Sequence, residues 1–97
     1  MHALNKSRSC AIIVTYNPDF TALLKLIGQL KKETDFIIVD NGTLDIQYIE
    51  ESINVYNRCR EIICLKKNEG LAKALNIGIH WCLKEEYEFV FLFDQDS

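Results

Sequence analysis

The sequence predicts an α/β fold built on a parallel sheet. Three observations carry this. Four short apolar runs lack polar alternation, segments of helical period separate them, and 97 residues hold one domain at most. The runs are Cys10-Ala-Ile-Ile-Val14, Phe36-Ile-Ile-Val39, Ile62-Ile-Cys-Leu65 and Phe89-Val-Phe-Leu-Phe93. Unbroken runs of this kind predict strands buried on both faces beneath helices.

The first run is rich in β-branched residues, which suit a strand. After it, Phe20, Leu23, Leu24, Ile27 and Leu30 recur at helical spacing, with Asn17 placed to cap that helix and Pro18 to open it. The second run leads to a weaker helical pattern, in which Ile46, Ile49, Ile53 and Tyr56 share a face. The third run ends before Gly70, after which Leu71, Ala74, Leu75, Gly78, Ile79 and Cys82 make a clear stripe. The fourth run nearly closes the chain. The order β-α-β-α-β-α-β predicts parallel pairing with right-handed crossovers in a single domain, residues 1–97.

Composition narrows the class. The chain is 48% hydrophobic and 26% charged, as soluble globular proteins are. A net charge of −3, with no basic run beyond Lys31-Lys32 and Lys66-Lys67, disfavours a nucleic-acid partner. No apolar stretch approaches the roughly 20 residues of a transmembrane helix, and the polar start does not read as a signal peptide, so a cytoplasmic location is expected. Cys10, Cys59, Cys64 and Cys82 include no C-x-x-C pair and no histidine neighbour, which predicts reduced thiols in or near the core. His80 reads as structural or exposed and Trp81 as packing.

In open α/β sheets, ligands bind beyond the carboxyl ends of the strands. Polar residues gather there: Thr15-Tyr16-Asn17-Pro18, Asp40-Asn41-Gly42-Thr43, Lys66-Lys67-Asn68-Glu69-Gly70 and Asp94-Gln95-Asp96-Ser97. No glycine follows the first strand, which excludes the dinucleotide fingerprint and the P-loop. Asp94 and Asp96, one residue apart, form a carboxylate pair of the kind that holds Mg²⁺ or Mn²⁺ together with substrate phosphates; a solvated chain end is the plainer alternative. Tyr16 offers an aromatic face to a base or sugar, or packs at a rim. Asp40 is suited to bond a base or ribose, although Asp-Asn-Gly is also a strong turn former. Asn68 and Gly70 precede a helix whose first N–H groups suit an anion, and Lys73 in its first turn reaches phosphate or solvent.

Together, Ile13-Val-Thr-Tyr-Asn-Pro18, Val39-Asp-Asn-Gly42, Asn68-Glu-Gly-Leu-Ala-Lys-Ala-Leu-Asn-Ile-Gly78 and Phe93-Asp-Gln-Asp-Ser97 resemble the start of an inverting family 2 glycosyltransferase of GT-A fold. The closing F-D-Q-D-S resembles its rhamnosyltransferase branch. The likeness runs from about residue 10 to the last residue. It implies a Rossmann-like sheet of four parallel strands in order 3-2-1-4, the amino-terminal half of the GT-A fold. It further implies that the chain is the donor-binding portion of an enzyme of polysaccharide or cell-envelope biosynthesis. That enzyme would take dTDP-rhamnose or a similar nucleotide sugar and transfer it to a glycan or lipid-linked acceptor at the inner face of the membrane. By this resemblance Thr15 and Tyr16 flank the nucleobase, Asn17 belongs to the donor site, and Asp40 bonds the base. Asn68, Gly70, Lys73 and Asn76 line the donor site, Asp94 lies near the ribose, and Asp96, with Asp94, holds the Mg²⁺ or Mn²⁺ of the DxD motif. The family's general base has no counterpart up to Ser97, so no turnover is expected of this chain alone.

Two other readings follow from the residues. An apolar fourth strand at the sheet edge is a template for self-association, with Phe89, Phe91 or Phe93 buried in a homo-oligomer. A receiver-like or flavodoxin-like domain would need an acid pair after strand one and an acid after strand three. Thr15-Tyr16 and Lys66-Lys67 stand there instead.

Overall fold

The computed structural model describes residues 8–94 apart from 31, 33 and 54. Four strands, β1 (Ser9–Thr15), β2 (Asp35–Asp40), β3 (Cys59–Cys64) and β4 (Phe89–Asp94), alternate with helices α1 (Phe20–Gln29), α2 (Ile46–Ile53) and α3 (Leu71–Lys84). All strand pairs are parallel and the sheet order is β3-β2-β1-β4. The chain therefore steps from β1 to β3 in one direction and returns to the far side of β1 for β4. The strand order reverses between β1 and β4, and such a switch point opens a crevice at the carboxyl edge.

Two apolar layers sandwich the sheet. On one face Cys10, Ile12, Val14, Ile37 and Val39 pack with Ala74, Cys82 and Tyr87. On the other, Ala11, Ile13, Phe36 and Ile38 pack with Leu23 and Ile27 of α1 and Ile49 and Ile53 of α2. Alternate residues of β1 thus enter opposite cores, which is why its sequence shows no polar alternation. At Gly78, α3 lies so close to β1 that an added Cβ would meet Ile12 Cγ2 at 2.6 Å.

The outer strands depart from the expectation of burial on both faces. β3 is largely half-buried or exposed, and on β4 Phe89, Phe91 and Leu92 are each about half exposed. Each is an edge strand covered only in part. Phe93, in contrast, packs against the α1 and α2 layer. The third strand also starts earlier than its apolar run, at Cys59, and ends at Cys64.

The first helix is capped by Asp19 and not by Asn17, and Pro18 lies outside it. The Asp19 carboxylate accepts from the Thr21 and Ala22 N–H groups at 2.9 and 3.3 Å, satisfying donors that the helix leaves open. Asn17 turns away in a left-handed conformation, φ 44°. Its N–H donates to Thr43 Oγ1 at 2.9 Å, and its side chain accepts from the Leu44 N–H at 3.2 Å. At its other end, α3 closes with the Tyr87 N–H on the Cys82 carbonyl and the Glu86 N–H on the Leu83 carbonyl, both at 3.1 Å. This is the Schellman arrangement, with Glu86 at φ 64° where glycine is usual. Tyr87 then donates to Asp35 Oδ2 at 2.6 Å, stacks on Trp81 and carries the Arg8 guanidinium over its ring.

All four cysteines are free. Cys10 and Cys82 are buried, and burial raises both thiols above their ordinary pKa, Cys10 most strongly; burial pushes Cys59 up to about 11. Cys64 is exposed and His80 lies on the surface of α3. No helix among the described residues is long and apolar enough to cross a membrane.

Candidate functional site

Strand register assembles the site. Thr15 pairs with Asp40 across β1 and β2, and Val14 pairs with Asp94 across β1 and β4. The last residues of three strands are thus brought level at one edge. A cleft of about 140 Å³ opens there, lined by Val14, Thr15, Tyr16, Asn41, Asn68, Leu71 and Asp94. Val14, Thr15 and Asn41 are its buried floor; Tyr16, Asn68 and Leu71 are exposed at its rim, and Asp94 is half-buried. Tyr16 and Leu71 are both 44% exposed, an outlay of apolar surface that is informative at the mouth of a polar cleft.

Beneath the cleft, Asp40 is 1% exposed. Its Oδ1 accepts from the hydroxyls of Thr15, at 2.6 Å, and of Thr43. Its Oδ2 accepts from the N–H groups of Gly42 and Thr43 at 3.2 and 2.6 Å. A carboxylate offers about four lone-pair positions, and here all are taken by the chain itself. The Thr15 hydroxyl is likewise turned inward. In this arrangement both residues hold the loop that shapes the cleft. Gly42 explains how closely that loop packs: φ is 96°, and a Cβ would sit 2.8 Å from the Lys67 backbone.

The other expected residues flank the cleft without lining it. Gly70 occupies the N-cap position of α3 at φ 91°, with no side-chain cap bond to the first turn. Its N–H donates to Asn68 Oδ1 at 2.8 Å. Lys73 pairs with Glu69 at 3.2 Å. Asn76 is exposed one turn further along α3, and Asn17 bridges two loops as described. Asp96 lies outside the described residues.

Asn41 and Leu71 are the site residues that sequence reasoning missed. Asp-Asn-Gly was legible as a turn, but that Asn41 is 3% exposed and makes long-range bonds follows only from the strand register. Leu71 fits the apolar stripe of α3, yet its place at the start of the helix puts it at the rim instead of the core.

For a hard divalent cation, the described donors offer one carboxylate, Asp94. No group of three or more His, Cys, Asp or Glu residues is gathered among the described residues. That fits the mode in which Mg²⁺ or Mn²⁺ takes one or two carboxylates and fills its shell with phosphate oxygens and water. It does not fit an all-protein cage.

A larger cleft of about 490 Å³ lies at the opposite end of the sheet, against Thr34, Phe36, Tyr56 and Arg58. Size alone would favour it. It gathers none of the strand-end polar residues, however, and its Arg58 is paired with Asp35 at 3.4 Å.

The sequence matches glycosyl transferase family 2 over residues 10–97. It is also similar to the dTDP-rhamnosyl transferase RfbF of Shigella flexneri, with 38% identity over 87 residues. That alignment covers 90% of this chain and 29% of the relative, so the chain spans less than a third of the protein it matches.

Proposed function

Because the chain belongs to glycosyl transferase family 2, we propose that its carboxyl-edge cleft is the donor-binding part of a rhamnosyltransferase and takes a dTDP-linked sugar. One observation carries the reading: Thr15, Tyr16, Asn68 and Asp94, from three separate segments, meet in one cleft at the switch point of the sheet.

The residues divide the work. Tyr16 and Leu71 flank the opening and present apolar surface to a planar base. Asp40 and Asn17 brace the loop that carries the floor. The first turn of α3 is left open at Gly70, and its N–H groups and helix dipole favour the diphosphate. Lys73 and Asn76, three positions apart on that helix, lie toward the diphosphate and sugar. Asp94 and Asp96 would hold a divalent ion. When bound, that ion offsets the charge developing on the leaving diphosphate. Among the described residues Asp94 is the carboxylate that lines the cleft, and these residues bind and orient a donor.

Calorimetry with dTDP and Mn²⁺ tests this reading. The expected result is saturable binding that weakens at least tenfold on Tyr16→Ala and when Mn²⁺ is omitted. Absence of heat at millimolar nucleotide and metal would reject it.

A second reading, self-association through β4, is favoured by the half-exposed Phe89, Phe91 and Leu92 on an edge strand. It is compatible with the first, because the donor cleft lies at the strand's end and the apolar patch along its length.

A further inference from the structure

We infer that Asn41 is the positioning residue that sets the width of the donor cleft, a role that rests on the donor reading above. The cleft has two walls. One comes from the end of β1 and carries Tyr16; the other comes from the β3–α3 connection and carries Asn68 and Leu71. Asn41 is bonded to both. Its backbone N–H donates to the Thr15 carbonyl at 2.8 Å. Its side-chain Oδ1 accepts from the Glu69 N–H at 2.8 Å, and its Nδ2 donates to the Gly70 carbonyl at 3.2 Å.

This clasp suits asparagine in particular. Its amide supplies one acceptor and one donor to a backbone N–H and carbonyl at adjacent residues. At 3% exposure, water does not readily replace either bond. Leucine would supply neither group, and aspartate would set an oxygen against the Gly70 carbonyl. Among the described residues the start of the connection is also tied to β2 by the Leu65 N–H, which donates to the Asp40 carbonyl at 2.9 Å, while Asn41 holds its far end. Gly42 packs against the Lys67 backbone without a Cβ, and Asn68 bonds within its own turn to Gly70. One N–H and one lone pair of the Asn41 amide are held by the backbone of the connection, so Asn41 acts on a donor through the placement of Asn68, Leu71 and the first turn of α3.

The test pairs site-resolved amide hydrogen exchange with dTDP titration in the presence of Mn²⁺, on the wild-type chain and on Asn41→Ala. The expected result is at least tenfold faster exchange at the Glu69 amide, unchanged protection at Ile12 and Ile13 in β1, and at least tenfold weaker dTDP binding by the folded variant. Asn41→Asp keeps the acceptor for Glu69 and loses the tether to Gly70. It is expected to retain Glu69 protection yet bind dTDP several-fold more weakly, which serves should Asn41→Ala not fold. Unchanged Glu69 exchange in Asn41→Ala would overturn the clasp. Faster exchange with dTDP affinity within twofold of wild type would overturn its positioning role, because a purely structural contact loosens the loop without moving the affinity. If wild type itself fails to bind dTDP, the donor reading falls and the positioning role with it, while the exchange data still report whether the clasp exists.

Discussion

Asp40 looks from the sequence like either a ligand or a turn residue, and in the fold it closes a turn with both oxygens engaged. An Asp40→Asn substitution keeps the shape but turns an amide NH₂ toward donors that need an acceptor. Buried donors left unpaired cost about 1–3 kcal/mol, so thermal unfolding should show the variant destabilised by that order. A variant as stable as wild type would mean that the loop does not depend on the carboxylate. Gly42→Ala acts at the same place through backbone strain and the Lys67 contact, and it should also loosen the loop. The cysteines separate by burial: Cys64 should react with a thiol reagent in the native state, and Cys10 and Cys82 only after unfolding. Rapid native modification of Cys10 would contradict its burial beside α3. The motif residues were legible one by one. Their bonding was not, since Thr15 and Asp40, or Asn41 and Gly70, meet only once strands pair in register.

Helix ends and strand edges were the least legible features. The sequence pointed to Asn17 as the cap of α1, but Thr43 and Leu44, residues far along the chain, claim Asn17, and Asp19 caps the helix instead. The start of α3 was clear because Gly70 interrupts the pattern. Its end was not, because Glu86 occupies a left-handed position without being glycine. That site yields a prediction: Glu86→Gly removes left-handed strain of roughly 1 kcal/mol and should raise the unfolding midpoint in chemical denaturation; a lowered midpoint would show that the side chain outweighs the strain. Gly78→Ala should act in the opposite sense. Alanine is the better helix former by about 1 kcal/mol, but its methyl would press on the buried, branched Ile12, and overpacking of this kind typically costs about 1–3 kcal/mol. Net destabilisation is therefore expected in the same assay, and net stabilisation would mean that α3 can shift off β1.

At the scale of the whole molecule, the alternation of apolar runs and helical stripes made the element order and the parallel sheet readable, while the strand order 3-2-1-4 came from the family resemblance alone. What the runs concealed was the difference between central and edge strands. β1 and β4 look equally apolar, yet β1 is buried and β4 is half exposed, because burial depends on neighbours that composition does not name. If the exposed strand self-associates, sedimentation should give a dimer or larger species that Leu92→Lys returns to monomer; a wild-type monomer at high micromolar concentration would remove that reading. The central claim concerns the opposite feature, the small polar cleft at the switch point. Residue-resolved NMR titration of the chain with dTDP and Mg²⁺ tests it most directly. The donor reading predicts saturable shifts at Tyr16, Asn41, Asn68 and Leu71, with Lys32 and Arg58 at the larger cleft unmoved. Shifts confined to the Lys32 and Arg58 end of the sheet, or none at millimolar nucleotide, would contradict it.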